Sequence, residues 1–320
     1  MINLTLFRNS IIAVFALGLI TACSTEESTQ NNERPDLPDV TVQTQDFKDY
    51  WYAGEAELNR YDLQRIRYGE VRDGHAMMIF VTEDFLTEPQ VKLESPADGR
   101  PHETVLKLNH LEEFMTGIYE YKVMSSTFTP ISVNDHPRSL KVSHSTQEWC
   151  GVVYSQLNLS DGQYQVTGHS YFENEADYEA SLNPVWLEDE LWTKLRLSPQ
   201  LLPEGEINII PASFAIRRSH DKWAVERAVA TKEPWTGSEM PGDSLMSYSL
   251  EYQNAARSLT IVYESQSPYR IAGWVETQQT RGRDTLQATS VRTHSIKAPY
   301  WQMNSNSDEE MRQKLGFENE

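Results

Sequence analysis

The chain has 320 residues and a formal net charge of −19, from 47 acidic and 28 basic side chains. So acidic a protein is not built to neutralise phosphates, which argues against a nucleic-acid partner and against direct adhesion to anionic lipid headgroups. The length suits one large β domain or two ordinary ones. With only two cysteines, Cys23 and Cys150, the fold must stand on its core rather than on disulfides.

Residues 1–10 hold one basic side chain, Arg8, and residues 11–20 read IIAVFALGLI. Ten apolar residues make a helix of roughly 15 Å, too short for a hydrocarbon core of roughly 30 Å. The run fits the apolar region of a secretory signal. It passes through Leu19-Ile20-Thr21-Ala22 directly into Cys23. This resembles the bacterial lipobox, and the resemblance implies removal of residues 1–22 and a diacylglycerol on the Cys23 thiol. Acyl chains contribute about 0.8 kcal/mol per buried CH₂, so several of them hold a soluble domain at a membrane. By resemblance to proteobacterial lipoproteins, Ser24 implies export to the outer membrane. The expected location is the cell envelope, lipid-anchored, on the periplasmic or the surface face. Residues 23–46 have almost no apolar side chain and are expected to form a disordered tether.

A single β domain is expected over residues 47–304. The stretch RYGEVRDGHAMMIFVTEDF reads as two strands around an Arg72-Asp73-Gly74 turn, with AMMIFV (76–81) a buried strand. Further strands follow, with a turn at Thr116-Gly117 and the strongest hairpin signal at Asp161-Gly162. One helix is expected near 184–197. Asn183 is its N-cap candidate, Pro184 its first position, and Leu187, Leu191 and Leu195 form an apolar face. Ser198-Pro199 ends it. The strands resume with EINIIPASFAIRR and run through DTLQATSVRTHSI. Residues 305–320 form a tail with one short helix and a capping box from Ser307 to Glu310. The fold class is therefore mainly β: an antiparallel meander of roughly a dozen strands, forming a barrel or half-barrel with one inserted helix.

Two stretches, WYAGEAELNRYDLQRIRYGEVRDGHAMMIFVTEDF and SLTIVYESQSPYRIAGWVETQQTRGRDTLQATS, resemble a family of bacterial lipoproteins of unknown function. Some members carry the label "septum formation inhibitor Maf". The S-x-S-P-R-R stretch of genuine Maf pyrophosphatases is absent here, so that activity is not carried over. The pattern of Tyr68, Gly69, Gly74 and Ala76 also resembles half-barrel periplasmic domains of the lipoprotein-carrier kind.

Candidate chemistry is sparse. Cys150 is a lone thiol, with His144 six residues before it, roughly 20 Å away along a strand. If Asp161-Gly162 is a two-residue turn, Ser160 faces Gln163 and His169 faces Tyr154, so neither histidine reaches the thiol; Cys150 is expected to be buried and inert. His75, His102, His110, His136, His220 and His294 show no metal-ligand spacing, and no metal or other cofactor is expected. Glu188, Asp189 and Glu190 read as a solvated first helical turn, and Arg217-Arg218 as a surface strand end with a lesser reading as an anion site. Tyr119, Tyr121, Trp149, Tyr154, Tyr171, Trp223, Tyr248, Tyr263 and Trp274 are strand aromatics suited to core pairing, or to lining a cavity for an apolar guest. No catalytic residue is assigned. The function expected is non-enzymatic: a lipid-anchored envelope protein that binds a lipid-like ligand or serves an envelope-protein assembly. An envelope hydrolase with scattered residues and a structural interaction module are the other classes weighed.

Overall fold

A computed structural model describes residues 38, 40–280, 282 and 284–317. The expected signal segment, Cys23 and most of the expected tether lie outside the described residues. The domain opens with α1 (Gln45–Trp51), whose first turn is capped by the Thr44 hydroxyl accepting from the Phe47 N–H at 3.2 Å. Val40 and Val42 are already buried, so packed structure starts ahead of the expected boundary at Phe47.

The first meander consists of β1 (Ala56–Arg67), β2 (Glu70–Leu86), the short β3 (Val91–Lys92), β4 (His102–Thr116), β5 (Tyr119–Pro130), β6 (Lys141–Glu148), β7 (Gly151–Ser160), β8 (Gln163–Ser170) and β9 (Tyr178–Leu182). Then β10 (Trp186–Leu187) leads into α2 (Glu188–Leu197), followed by β11 (Gly205–Ile210) and α3 (Ser213–Ser219). The second meander is β12 (Glu226–Pro234), β13 (Leu245–Tyr252), β14 (Arg257–Glu264), β15 (Ile271–Gln279) and β16 (Thr285–Ala298), with a tail carrying α4 (Glu310–Lys314). All these strands form one 16-stranded sheet, antiparallel except for β10 beside β11. β16 pairs with β1, placing Ala298 opposite Ala56, and joins the two meanders in mid-sheet.

The free edges of the sheet are β9 and β10. Only residues 183–185 connect them, and the step from Leu182 to Trp186 spans at most about 14 Å. The sheet therefore curls until its edges nearly meet, leaving a seam instead of a closed ladder. This is the expected half-barrel, with more strands than the dozen expected.

The lumen is filled by α2. All ten of its residues are buried. Its polar side chains reach opposite walls: Arg196 pairs with Glu57 on β1, Thr193 with Thr129 on β5, and Glu188 with Arg257 on β14. Leu191, Trp192 and Leu195 pack among inward side chains such as Tyr61, Phe80 and Trp274. The helix begins at Glu188 rather than near Pro184, because Trp186 and Leu187 are held in the sheet, and the Glu190 carboxylate accepts the Leu187 N–H at 3.2 Å. It ends at Leu197, before Ser198-Pro199, as expected.

Three other expectations are corrected. No turn occurs at Arg72-Asp73-Gly74; β2 runs unbroken through it, and the turn is Tyr68-Gly69, both at positive φ (55° and 75°) as a two-residue hairpin requires. Gly74 is needed for another reason: a Cβ there would lie 2.1 Å from the Glu113 carbonyl oxygen on β4. EINIIPASFAIRR is not one strand. Pro211 follows the end of β11, and the remainder winds into α3. The tail's capping box runs from Ser305 to Asp308. AMMIFV is an unbroken apolar run because both faces are covered. Ala76, Met78 and Phe80 face the lumen, while Met77, Ile79 and Val81 lie under Tyr300, Met303, Met311 and Leu315 of the tail.

Candidate functional site

Antiparallel connectivity places the β1–β2, β4–β5, β6–β7 and β8–β9 turns at one end of the half-barrel, and the α3 segment, which follows β11, lies at the same end. Beneath α3 is a buried ionic cluster. Arg65 of β1 grips Glu112 of β4 with two nitrogens and also pairs with Glu276 of β15. Arg218 of α3 adds to Glu276 at 3.2 Å, and Arg257 bridges Glu276 at 2.8 Å to Glu188 at 2.6 Å. Glu188 also accepts the Ala212 N–H at 3.2 Å. Asp189 accepts the Ser213 N–H at 2.9 Å and its hydroxyl at 2.8 Å. These two acids of α2 thus seat α3 on the lumen.

Three guanidiniums here meet three glutamates, and the balance shows in their proton affinities. Burial alone would raise Glu112, but Arg65 and the neighbouring His110 together outweigh it and hold the carboxyl at about 2. Glu276 is likewise well below the usual carboxylate range, because Arg218, Arg257 and Arg65 outweigh its burial. Asp189 has no guanidinium, and burial pushes it up to about 6. His110 Nε2 lies 3.3 Å from Glu112 but lacks the alignment of a hydrogen bond. The cavity among these groups has room for about 50 Å³, enough for a few water molecules.

The larger opening is at the seam. A cleft of about 250 Å³ lies between β7, the free edge β9 and α3. Val153, Ala180, Ile216, Tyr178 and Trp223 give it an apolar lining; Arg217 and Lys222 stand against Glu175, Glu179 and Asp221, with His220 among them. Arg217 is 6% exposed, and its Nε has no partner. Among the described residues its one carboxylate is Glu175 at 3.5 Å, which His220 shares. Burial outweighs the pull of Glu175 and lowers the affinity of Arg217 for its proton, and nearby Arg67 adds to the effect. Arg67 is itself buried. It donates to the Arg218 carbonyl at 2.8 Å and to the Tyr121 hydroxyl at 3.1 Å, and it stacks on Tyr68; no carboxylate among the described residues forms an ion pair with it. Of these two buried guanidiniums, only Arg217 has a carboxylate partner among the described residues, and it shares that one with His220.

The structure scatters the sequence candidates. Cys150 is not buried: it sits exposed in the β6–β7 turn, where a two-residue connection leaves no room to turn the thiol inward. The hairpin register is as expected, with Ser160 opposite Gln163 and Tyr154 opposite His169. No histidine therefore reaches the thiol. Hydrogen bonding to Glu148 raises its pKa and keeps it protonated. His144 is buried between the Ser125 and Thr146 hydroxyls, each at 2.9 Å, and burial lowers its pKa to about 3. His169 faces Asp177 at the surface. Glu188, Asp189 and Glu190 are not solvated, because the sheet wraps the whole helix. Arg217 and Arg218 are neither at the surface nor on a strand. Tyr121, Tyr248 and Trp274 are buried, whereas Trp149 and Tyr171 are exposed. Among the described residues, no group of three or more His, Cys, Asp or Glu side chains is placed to hold a metal ion. The chain matches no family model, no curated protein and no solved structure.

Proposed function

We propose that this chain is a lipid-anchored, non-enzymatic cell-envelope protein whose seam cleft binds an amphiphile with an anionic head. The observation that carries the reading is Arg217: a buried guanidinium in the wall of an apolar-lined cleft, whose one carboxylate partner among the described residues is shared with His220. A guest carboxylate or phosphate would complete its ion pairing, and Ile216, Trp223 and Val153 would cover the guest's apolar part. The lumen is not the site, since α2 occupies it. The run into Cys23 supports the anchor, and an anchored protein meets envelope amphiphiles first.

Turnover is less well supported. The ionic cluster under α3 is internally paired around a space fit only for water. Ser125 and His144 form a hydroxyl–imidazole pair, but a threonine, not a carboxylate, stands behind the imidazole.

The test is titration of residues 24–320 with a fluorescent fatty acid. Saturable binding is expected, and Arg217→Gln should weaken it roughly 10- to 100-fold, as loss of a charge-assisted hydrogen bond implies. Absence of saturable binding would remove the reading.

A further inference from the structure

Four hairpin tips at the seam-cleft end carry large apolar side chains into solvent. Ile118 of the β4–β5 turn is 78% exposed, Trp149 of the β6–β7 turn 72%, Tyr171 after β8 68% and Tyr68 of the β1–β2 turn 57%. They are neighbours, not scattered singles. The Tyr68 hydroxyl lies 2.7 Å from that of Tyr121, whose ring neighbours Tyr119 at 5.9 Å. Tyr119 lies 6.3 Å from Trp149, and the Tyr171 ring covers Gly151 so closely that a Cβ there would meet it at 2.8 Å. The result is an apolar crescent across four separate turns. Contiguous exposed apolar surface of this kind marks a contact site.

We propose that this crescent docks on a zwitterionic phospholipid surface and brings the mouth of the seam cleft against it; the inference rests on the amphiphile-binding reading above. Three observations select this occupant. Tryptophan and tyrosine combine an apolar ring with a polar tip, the combination that suits the headgroup level of a bilayer. The crescent is continuous with the cleft: Phe172, next to Tyr171, lies under the Arg217 guanidinium at 4.4 Å and beside the His220 ring at 5.4 Å. The acids near the tips are largely held. Glu70 pairs with Arg72, Glu113 and Glu120 pair with Lys122, and Glu148 accepts the Cys150 N–H. What remains is mildly acidic, which disfavours an anionic leaflet and leaves a zwitterionic one open. The first described helix lies away from the crescent: α1 packs against β2 at the opposite end, with the Thr82 hydroxyl on the Trp51 carbonyl at 2.8 Å.

Cys150 gives a reporter within the crescent, as it is the one cysteine left in residues 24–320, a chain that includes the whole compact unit 35–320. Labelled there with a polarity-sensitive fluorophore, the protein is mixed with phosphatidylcholine–phosphatidylethanolamine vesicles. The expected result is a blue-shifted, brighter emission and co-flotation. Both should fall at least fivefold in I118S/W149S, while fatty-acid affinity stays unchanged. A second variant, Tyr171→Ser, guards against misfolding of the first. Arg217→Gln should do the reverse, losing fatty acid but still floating. Several results would overturn the proposal: no shift and no flotation, flotation undiminished in both tip variants, or binding that requires anionic lipid and vanishes in 0.5 M salt. A shift that grows with protein concentration without vesicles would assign the crescent to contact between copies, and would overturn it too.

Discussion

Cys150 shows how one neighbour sets the chemistry of an exposed thiol. It has access to solvent, yet the Glu148 carboxylate keeps its proton in place. The thiolate is the reactive form, so accessibility alone does not make this residue a nucleophile. Replacing Glu148 with Gln should speed alkylation of the folded protein severalfold at pH 8, measured as the rate of thiol loss; an unchanged rate would show that Glu148 does not hold the proton. The distance along the strand that separated Cys150 from His144 and His169 was legible in the sequence, and the Asp161-Gly162 turn fixed the register. Its exposure was not. A cysteine between Trp149 and Gly151 looks like core until the turn is known to fall there. Gly74 misled in the same way: the glycine was legible, but its purpose, close approach of β4, depends on a residue forty positions away.

At the scale of an element, α2 is a helix that a β-sheet has swallowed. Its apolar face could be read from Leu187, Leu191 and Leu195. The polar face was read as solvated because amphipathic helices usually have a wet side. Here the wet side is replaced by paired charges from the surrounding strands. Those partners had left a trace. On β1, Tyr61, Leu63, Arg65 and Arg67 share one parity, as do Trp274 and Glu276 on β15, so charges stand in line with core residues. Arg196 is the clearest case. It lies between the Trp51 and Phe80 rings and pairs with Glu57, whose carboxyl burial would raise but Arg196 holds at about 2. Arg196→Met should cost about 3–5 kcal/mol, because it strands Glu57 without its cation. Adding Glu57→Leu should recover much of that loss. Denaturant midpoints of both variants decide; equal losses would mean that the pair is not the source of the cost.

For the whole molecule, the buried acids divide into two groups with opposite pH signatures. Glu57 and Glu112 have folded values near 2, below their unfolded values. Their stabilisation is present above about pH 4.5 and fades as pH falls toward 2. Asp189 has a folded value near 6, above its unfolded one. Its contribution is greatest below about pH 4 and is lost as pH rises through 6. At neutral pH the ionised Asp189 therefore costs up to about 3 kcal/mol, from roughly two pKa units at 1.36 kcal/mol each. Asp189→Asn should raise the melting temperature at pH 7.5 and give no gain at pH 4. Thermal melts at the two pH values test this, and a gain independent of pH would contradict it. The half-barrel itself was legible from strand spacing and turns, whereas the seam, the plug and the α3 cap depend on which distant strands become neighbours.

The meeting of β1 with β16 also has a meaning in time. Whenever the chain is delivered N-terminus first, β1 arrives before anything else in the sheet and waits for the last strand. Until then its edge is an open template for any passing strand. Its inward charges wait as well: Glu57 for Arg196, 139 residues later, and Arg65 for Glu276, 211 residues later. The early half can pair Arg65 with Glu112, but Glu57 is left in it without a cation. Nor can the late half begin without it, since α2 needs walls on both sides. Each part is unfinished until the other arrives, and closure of the sheet, filling of its lumen and neutralisation of its core become one event.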